Sequence, residues 1–580
     1  MEQKIILKDA FKTFTLDQDK IRAPEETVKA FRERLSMLKL DILKETRRID
    51  TGRLDIPVYF SVCGKDAKAV TGTGKQMGKG ATPAQAEASA VMELAERFSF
   101  FSFVNTPDHF FTKTYKEAGP SAIPFSMIAQ SVHDDSADLS IEKKVFETLP
   151  LKWTKGYNLS LEQEVLIPFN WFFMINEFNG PSAGNCVEEA ISQGICEIVE
   201  RHVSSLISHG KINVPGIIPE SAKDPMVVAM LKKYEQAGVK LRLSDFSLDT
   251  GIPTVGVMAW DPKTFPSKSE IIWTAGTTPD PEKALSRALT ETAQLAGDFN
   301  TGSNYVASGL PKFRDLSEGD FIMNPGKMVP ITSLPDLSHG NIRVEVQNLV
   351  AALNKRRMEV FIINTQHPGL QIPAFYTIIP GAHFRERSLG TSVGMFSAKM
   401  ITETFPPAQA IKRLLEFDQM LPGKYYVRFY LGTLFLSMDD PETALGHFEA
   451  ALDLNPKEQD RASIYSYMGV CLKEMERYEE AMVVLEKGAA LDNERTDIHN
   501  LMGFIHFKSK RHHEAIASFE KVIRLDPSSA IDYANIGSNY RDLGNREKAI
   551  EYYLMALEID PEITFARENL IRLQGDIDFK

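Results

Sequence analysis

Gly432, Gly469, Gly503 and Gly537 recur in the last third of this 580-residue chain at spacings of 37, 34 and 34. Ala444, Ala481, Ala515 and Ala549 keep the same spacings, as do Pro456, Asn493, Pro527 and Pro561, which close the phrases LNP, LDN, LDP and IDP. Three position classes sharing one period of about 34 residues call for a stack of like units, each too small to bury its own apolar face. Within a unit, small residues let two helices approach, an aromatic fills the gap, and Pro ends the second helix. Phe448, Phe519 and Tyr553 stand four residues after the Ala, with Leu485 in that place in the second unit. The first spacing is three residues too long and the second unit has Asn493 in place of Pro, so less regular packing is expected there.

This combination of Gly, Ala, aromatic and Pro resembles the tetratricopeptide repeat (TPR), about four copies over residues 426–580. A last helix, from about Ile563 to Leu573, carries polar residues on one side and is expected to cap the array. The resemblance implies an all-α superhelix that binds a protein or peptide partner on its concave face. FPP and LPG punctuate residues 405–425, read here as a linker.

Residues 1–404 alternate β-like runs (IPVYFSV, EVFIINT, IPAFYTIIPG) with helical segments at about 83–101, 186–206 and 281–296, which predicts a mixed α/β or α+β domain. The Pro, Gly and Ser-rich stretch from Gly302 to Asn341 reads as a loop or surface excursion. A net charge of −12 without a basic cluster argues against nucleic acid. MEQKIILKDAFK lacks the basic and apolar regions of a leader, and no apolar run of about 18 residues occurs, so a cytoplasmic protein without membrane contact is expected. The four cysteines form no CxxC pair, which fits a reducing compartment and excludes a cysteine zinc site.

The three helical segments share a peculiarity. In ASAVMELAERFSFF, Ser89, Glu93, Glu96 and Arg97 fall on one helical stripe, flanked by Ala90, Val91, Met92, Leu94, Ala95 and Phe98. NCVEEAISQGICEIVERH aligns Asn185, Glu189, Gln193, Glu197, Glu200 and Arg201, again among apolar neighbours, and PEKALSRALTETAQLA aligns Arg287, Glu291 and Gln294. Helices apolar nearly all round are buried, so six carboxylates and three arginines look inward. Uncompensated, such carboxylates would repel and take up protons. Glutamate and amide oxygens suit a hard cation such as Mg²⁺, and Arg97, Arg201 and Arg287 suit phosphate, so a Mg²⁺–polyphosphate ligand resolves the conflict. TGTGKQMGKGAT is not a phosphate loop, since Thr73 stands where GxxxxGK[ST] needs Gly and the GxGxxG register also fails. It reads as a Gly-rich turn before a buried helix, with Lys79 a possible anion contact.

At GKGATPAQAEASAVMELAERFS, NGPSAGNCVEEAISQGICEIVERH and GTTPDPEKALSRALTETAQ the chain resembles the YcaO family, over about residues 15–400. The resemblance implies an ATP- and Mg²⁺-binding site. Its metal and nucleotide set would be Ser89, Glu93, Glu96, Glu189, Glu197 and Glu200, with the five glutamates as metal ligands and Arg201 and Arg287 on phosphate. KIRAPEETVKAF resembles the family's N-terminal nucleotide segment, which adds Lys20, Arg22 and Thr27. No general base is evident; His202, beside the second ExxER, reads as packing.

The implied chemistry is ATP-dependent activation of a peptide-backbone amide, as in cyclodehydratases. A neighbouring Cys, Ser or Thr nucleophile gives an azoline, and external sulfide gives a thioamide. Azoline-forming members often end in a Pro-rich tail, whereas this chain ends RLQGDIDFK after a repeat array. That plan is closer to housekeeping members implicated in methylthiolation of a ribosomal protein. A noncatalytic ATP-binding accessory to a sulfur-transfer enzyme is the alternative, and frequent dimers in the family make a homodimer an expectation.

Overall fold

A computed structural model of the chain describes residues 5–50, 52–299, 313, 315–384, 391–526 and 528–575. These form two compact units, Met1–Ser136 with Pro150–Ser392, and Ala137–Leu149 with Val393–Lys580.

The first unit is α+β, with three sheets. Strands β1 (Leu43–Arg48), β2 (Val58–Cys63) and β3 (Lys75–Lys79) form an antiparallel sheet in that order. A five-stranded sheet runs Ile272–Thr277, Thr254–Trp260, Lys240–Asp245, Gly216–Ile217 and Met328–Val329. The third sheet is six-stranded and contains Phe361–Asn364 between Leu151–Asn158 and Ala374–Ile378, with Pro181–Ala183 at one edge. Helix α1 (Pro24–Leu38) packs on α2 (Pro83–Val104), while α3 (Val187–Gly210) and α4 (Pro281–Ala296) complete the set that matters for the site. Each of α2, α3 and α4 lies where the sequence stripes predict it. Strand Pro181–Ala183 touches α2 and α3, Ile272–Thr277 touches α3 and α4, and β3 touches α2 and α4, so strands bridge each pair in a ring.

The ring closes because a glycine precedes each helix on a strand or turn and meets alanines on it. A Cβ on Gly78 would lie 2.0 Å from the Ala90 nitrogen, one on Gly184 2.5 Å from the Ala190 nitrogen, and one on Gly276 2.4 Å from the Ala284 oxygen. Thr82 caps α2 by accepting the Gln85 N–H, with Pro83 in the first turn, where its missing N–H costs nothing.

Three sequence expectations change here. GKQMGKG is no turn: Lys75–Lys79 is a strand, because Gly78 lets its backbone lie directly on α2. The excursion from Gly302 lies outside the described residues up to 312, but beyond it Met328–Val329 pairs in parallel with Gly216–Ile217 and extends a sheet. The expected linker, 405–425, holds a helix, Pro407–Met420, whose Ala410, Leu414 and Phe417 are buried.

In the second unit, four helix pairs follow the period and Thr564–Gly575 is the ninth helix of the array that begins at Tyr425. Gly432, Gly503 and Gly537 face Phe448, Phe519 and Tyr553, and Gly469 faces Leu485. The three surplus residues do not disturb this packing. They are absorbed by Glu458–Glu474, 17 residues long, where the first helices of the other pairs have 13. Pro527 lies outside the described residues. No helix among the described residues is long and apolar enough to cross a membrane.

All four tryptophans, Trp153, Trp171, Trp260 and Trp273, belong to the first unit, so their fluorescence reports that unit's unfolding. Gly78→Ala drives a Cβ into helix backbone and is expected to lower its unfolding midpoint in urea, at a cost of about 1–3 kcal/mol or more. Gly74→Ala, with open space around it, is expected to leave the midpoint within about 0.5 kcal/mol of wild type.

Candidate functional site

The ring of α2, α3 and α4 encloses a cavity of about 840 Å³. Its walls carry Ser89, Glu93, Glu96 and Arg97 from α2, and Asn185, Glu189, Gln193, Glu197 and Arg201 from α3 and the turn before it. Arg287 comes from α4, Lys79 from β3, Lys20 and Arg22 from the N-terminal segment that leads into α1, and Thr27 from the first turn of α1. Glu200 alone of the sequence-chosen residues is not in the wall. It sits behind Arg287, 2% exposed, with Oε2 accepting the Thr277 N–H at 3.2 Å and 3.4 Å from Arg287 Nε.

Charge is arranged in opposed pairs. Arg287 Nη1 donates to Gln193 Oε1 at 2.9 Å, Lys79 Nζ pairs with Glu291 Oε2 at 2.5 Å, and Arg97 Nε lies 3.6 Å from Glu96 Oε1. Glu189 is fully engaged: Oε1 accepts the Ile21 N–H at 2.7 Å, and Oε2 accepts the Asn185 main-chain and side-chain N–H groups, each at 3.0 Å. The Thr27 hydroxyl lies 2.9 Å from Asn185 Oδ1, so it ties α1 to the same turn.

Several cavity groups lie outside the set chosen from the sequence, Glu291, Gln294 and Asp17 among them. Glu291 and Gln294 were visible on the α4 stripe but carried no family role. Asp17 had no periodic signal at all, because it lies on an irregular strand-like strap, outside any helix. His202 stands off the cavity, with Nδ1 accepting the His383 N–H at 3.1 Å, and burial pushes its pKa down to about 4. Among the described residues no histidine lines the cavity.

The donor set fits a nucleotide with a hard cation. Ser286 Oγ is buried in the wall without a hydrogen-bond partner, which marks a place for a polar ligand, whereas Arg287 Nε faces Glu200 at 3.4 Å. Among the described residues no three His, Cys, Asp or Glu side chains close into a ready metal cage.

Residues 77–383 match the sequence model of a family described as YcaO cyclodehydratase, ATP- and Mg²⁺-binding, and residues 435–503 and 494–562 match tetratricopeptide-repeat models. An uncharacterized protein of Methanothermobacter thermautotrophicus is 29% identical over 380 residues, 62% of this chain and 93% of its own length. The ribosomal protein S12 methylthiotransferase accessory factor YcaO of Escherichia coli (strain K12) is 27% identical over 406 residues, 64% of this chain and 66% of its own. Among solved structures, YcaO from Methanopyrus kandleri bound with AMPPCP and Mg²⁺ superposes with a TM-score of 0.50 at 22% identity, over 66% of this chain and 99% of that one. A heterocyclase in complex with substrate and cofactor gives 0.54 at 20% identity, over 66% of this chain and 55% of that one. At these identities the likeness is one of fold. The chain spans just under two thirds of the Escherichia coli protein and about half of the heterocyclase.

Electrostatics supply a test that needs no ligand. Burial raises the pKa of Glu93 and Glu200 and holds Glu96 well above the usual carboxylate range; Glu197 and Glu93 add to the effect at Glu96, against Arg97. At Glu291 burial pulls upward too, but Lys79, Arg201 and Arg287 together overcome it and hold the carboxylate ionised. A raised folded-state pKa favours the folded protein below the unfolded value of 4.5, and that benefit is lost as pH rises through the folded value. Glu96→Gln removes the charge and keeps the shape. Without divalent cations at pH 7 its melting temperature is expected to exceed that of wild type by roughly 1–4 °C, with a flatter pH dependence, as read by calorimetry.

Proposed function

The chain belongs to the YcaO cyclodehydratase family, ATP- and Mg²⁺-binding by description, and from that premise we propose that its cavity activates a peptide-backbone amide with ATP. The observation that carries this reading is the convergence of carboxylates and arginines from three helices on one cavity. In this reading Glu93, Glu96, Glu189 and Glu197 are the carboxylates that would hold Mg²⁺, which would supply charge neutralisation to the phosphates. Arg97, Arg201 and Arg287 hold the phosphates, and Glu200 keeps Arg287 extended from behind. Lys20, Arg22, Thr27, Lys79, Ser89, Asn185 and Gln193 line the path of the nucleotide.

A nucleophile adds to the amide carbonyl, the resulting oxyanion takes the γ-phosphoryl group of ATP with release of ADP, and phosphate then leaves as a proton is lost from the adduct. With a neighbouring Cys, Ser or Thr the product is an azoline; with external sulfide it is a thioamide. Positioning and charge neutralisation are the protein's main contributions. The TPR array recruits the protein substrate or a sulfur-delivering partner, in a cytoplasm that keeps the four free thiols reduced.

A second reading, a noncatalytic ATP-binding accessory to a sulfur-transfer enzyme, draws on the Escherichia coli relative's name as an accessory factor. Turnover stimulated by one particular peptide supports the enzyme. ATP binding without such stimulation, but with a stable partner complex, supports the accessory.

Mg²⁺-dependent ATP binding, measured by calorimetry with phosphate release followed in parallel, tests the site itself. Glu93→Ala is expected to weaken binding by more than about tenfold, since a charge-assisted metal contact is lost. Glu200→Ala acts only through Arg287 and is expected to cost less. Unchanged binding in both folded variants would make the stripes structural.

A further inference from the structure

Asp17 is 1% exposed, in the cavity wall, on the strap that precedes α1. Its Oδ2 accepts the Ala81 N–H at 3.0 Å. Its Oδ1 is buried with no hydrogen-bond partner. The strap around it is fixed: Lys283 Nζ donates to the Thr15 and Leu16 carbonyls, each at 2.9 Å, and pairs with Asp224 at 2.7 Å. Downstream, the Ile21 N–H is held by Glu189. One carboxyl oxygen is therefore satisfied and locked, and the other has only the Asp17 and Gln18 main-chain N–H groups of its own turn near it. A buried acceptor without a partner costs stability, and a ligand donor removes that cost.

The chemistry of Asp17 says which part of a nucleotide it meets. A phosphate offers an acidic side chain no hydrogen-bond donor and repels its charge. Asp17 is bonded at Ala81, just before the first turn of α2, whereas Arg97 lies 14 residues beyond Pro83, about 21 Å along the helix axis. Asp17 is thus displaced from Arg97 along α2. The family match begins at residue 77, so the strap lies outside it.

Resting on the nucleotide reading above, we infer that Asp17 Oδ1 accepts a hydrogen bond from the nucleoside of the bound nucleotide, a ribose hydroxyl or the exocyclic amine of the base. It thereby sets which nucleotides the cavity accepts. Asp17→Asn inverts this. The Ala81 N–H retains the amide oxygen in the place of Oδ2, so Nδ2 stands where Oδ1 was, and an acceptor becomes a donor.

Equilibrium binding with Mg²⁺ of ATP, 2′-deoxy-ATP, 3′-deoxy-ATP and inosine triphosphate tests this on the full chain. Wild type is expected to bind at least one analogue about tenfold or more weakly than ATP, because the missing donor leaves Oδ1 unpaired. Loss with a deoxy analogue identifies the ribose, and loss with inosine triphosphate, which has oxygen in place of the amine, identifies the base. In Asp17→Asn that ratio is expected to collapse through weaker ATP binding, while inorganic tripolyphosphate with Mg²⁺ binds as in wild type. Equal wild-type affinity for all four nucleotides, or a wild-type ratio retained in Asp17→Asn, would overturn the assignment and leave the nucleotide site standing. Should wild type bind none of them, the nucleotide reading fails and takes the assignment with it. The wild-type comparison decides the matter even if the variant folds poorly.

Discussion

Everything in the first unit turns on holding a line of like charges inside an apolar shell. Carboxylates at Glu93, Glu96 and Glu197 face one another across the cavity, and their mutual repulsion adds to the loss of hydration. Cations placed between them keep the balance: Arg97 beside Glu96, Arg287 before Glu200, Lys79 against Glu291. Breaking the Lys79–Glu291 pair singly costs about 3–5 kcal/mol, since the survivor is left unpaired. A cavity built this way is polarised before any ligand enters, which is the condition under which fixed charges stabilise a phosphoryl group most.

The shell is affordable because one side of each helix is stripped of bulk. Gly78 against Ala86 and Ala90, Gly184 against Ala190, and Gly276 against Ala284 and Ala288 let backbone meet backbone. The close approach turns the opposite, charged face of each helix toward the common centre. Large apolar residues on the flanks, such as Val91, Leu94 and Phe98 on α2, are fully or nearly fully buried and contribute about 1.5–3 kcal/mol each. Small residues thus fix the geometry, and large ones stabilise it.

How much of this was legible in the sequence depended on periodicity. The 34-residue repeat and the three stripes are periodic, and helices stand at both, because burial imposes the same spacing on sequence and structure. Where punctuation was read instead, the reading failed. FPP and LPG do bound residues 405–425, but the amphipathic run between them, with Ala410, Leu414 and Phe417, makes a buried helix. The glycines of GKQMGKG look like a turn and serve as clearance for a strand. Glu200 shared the stripe of Glu197 and yet lies behind Arg287, where the Thr277 N–H and the Arg287 guanidinium hold its carboxylate. Asp17 belongs to no period, and its place is set by contacts 64 and more residues away.

That last case exposes a division within the site. One set of walls is helical and lies within the residues the family model matches; the other is the strap before them, held by a local Phe14–Lys20 bridge and by long-range contacts. Lys12 pairs with Asp19 at 2.7 Å and Glu345 at 2.5 Å, the Lys8 N–H donates to Glu188 at 2.6 Å, and the Ala10 N–H donates to Asn341 at 2.9 Å. The strap has almost no regular structure of its own, so its order depends on these side chains. Glu189 joins the two sets, since one carboxylate fixes both the strap at Ile21 and the turn at Asn185. A helix stripe fixes where phosphates and cations bind, and it does so by a pattern that any chain of the fold can repeat. A strap placed by long-range contacts can change residue by residue without disturbing that pattern, which makes it the natural place for a chain to set its own nucleotide preference.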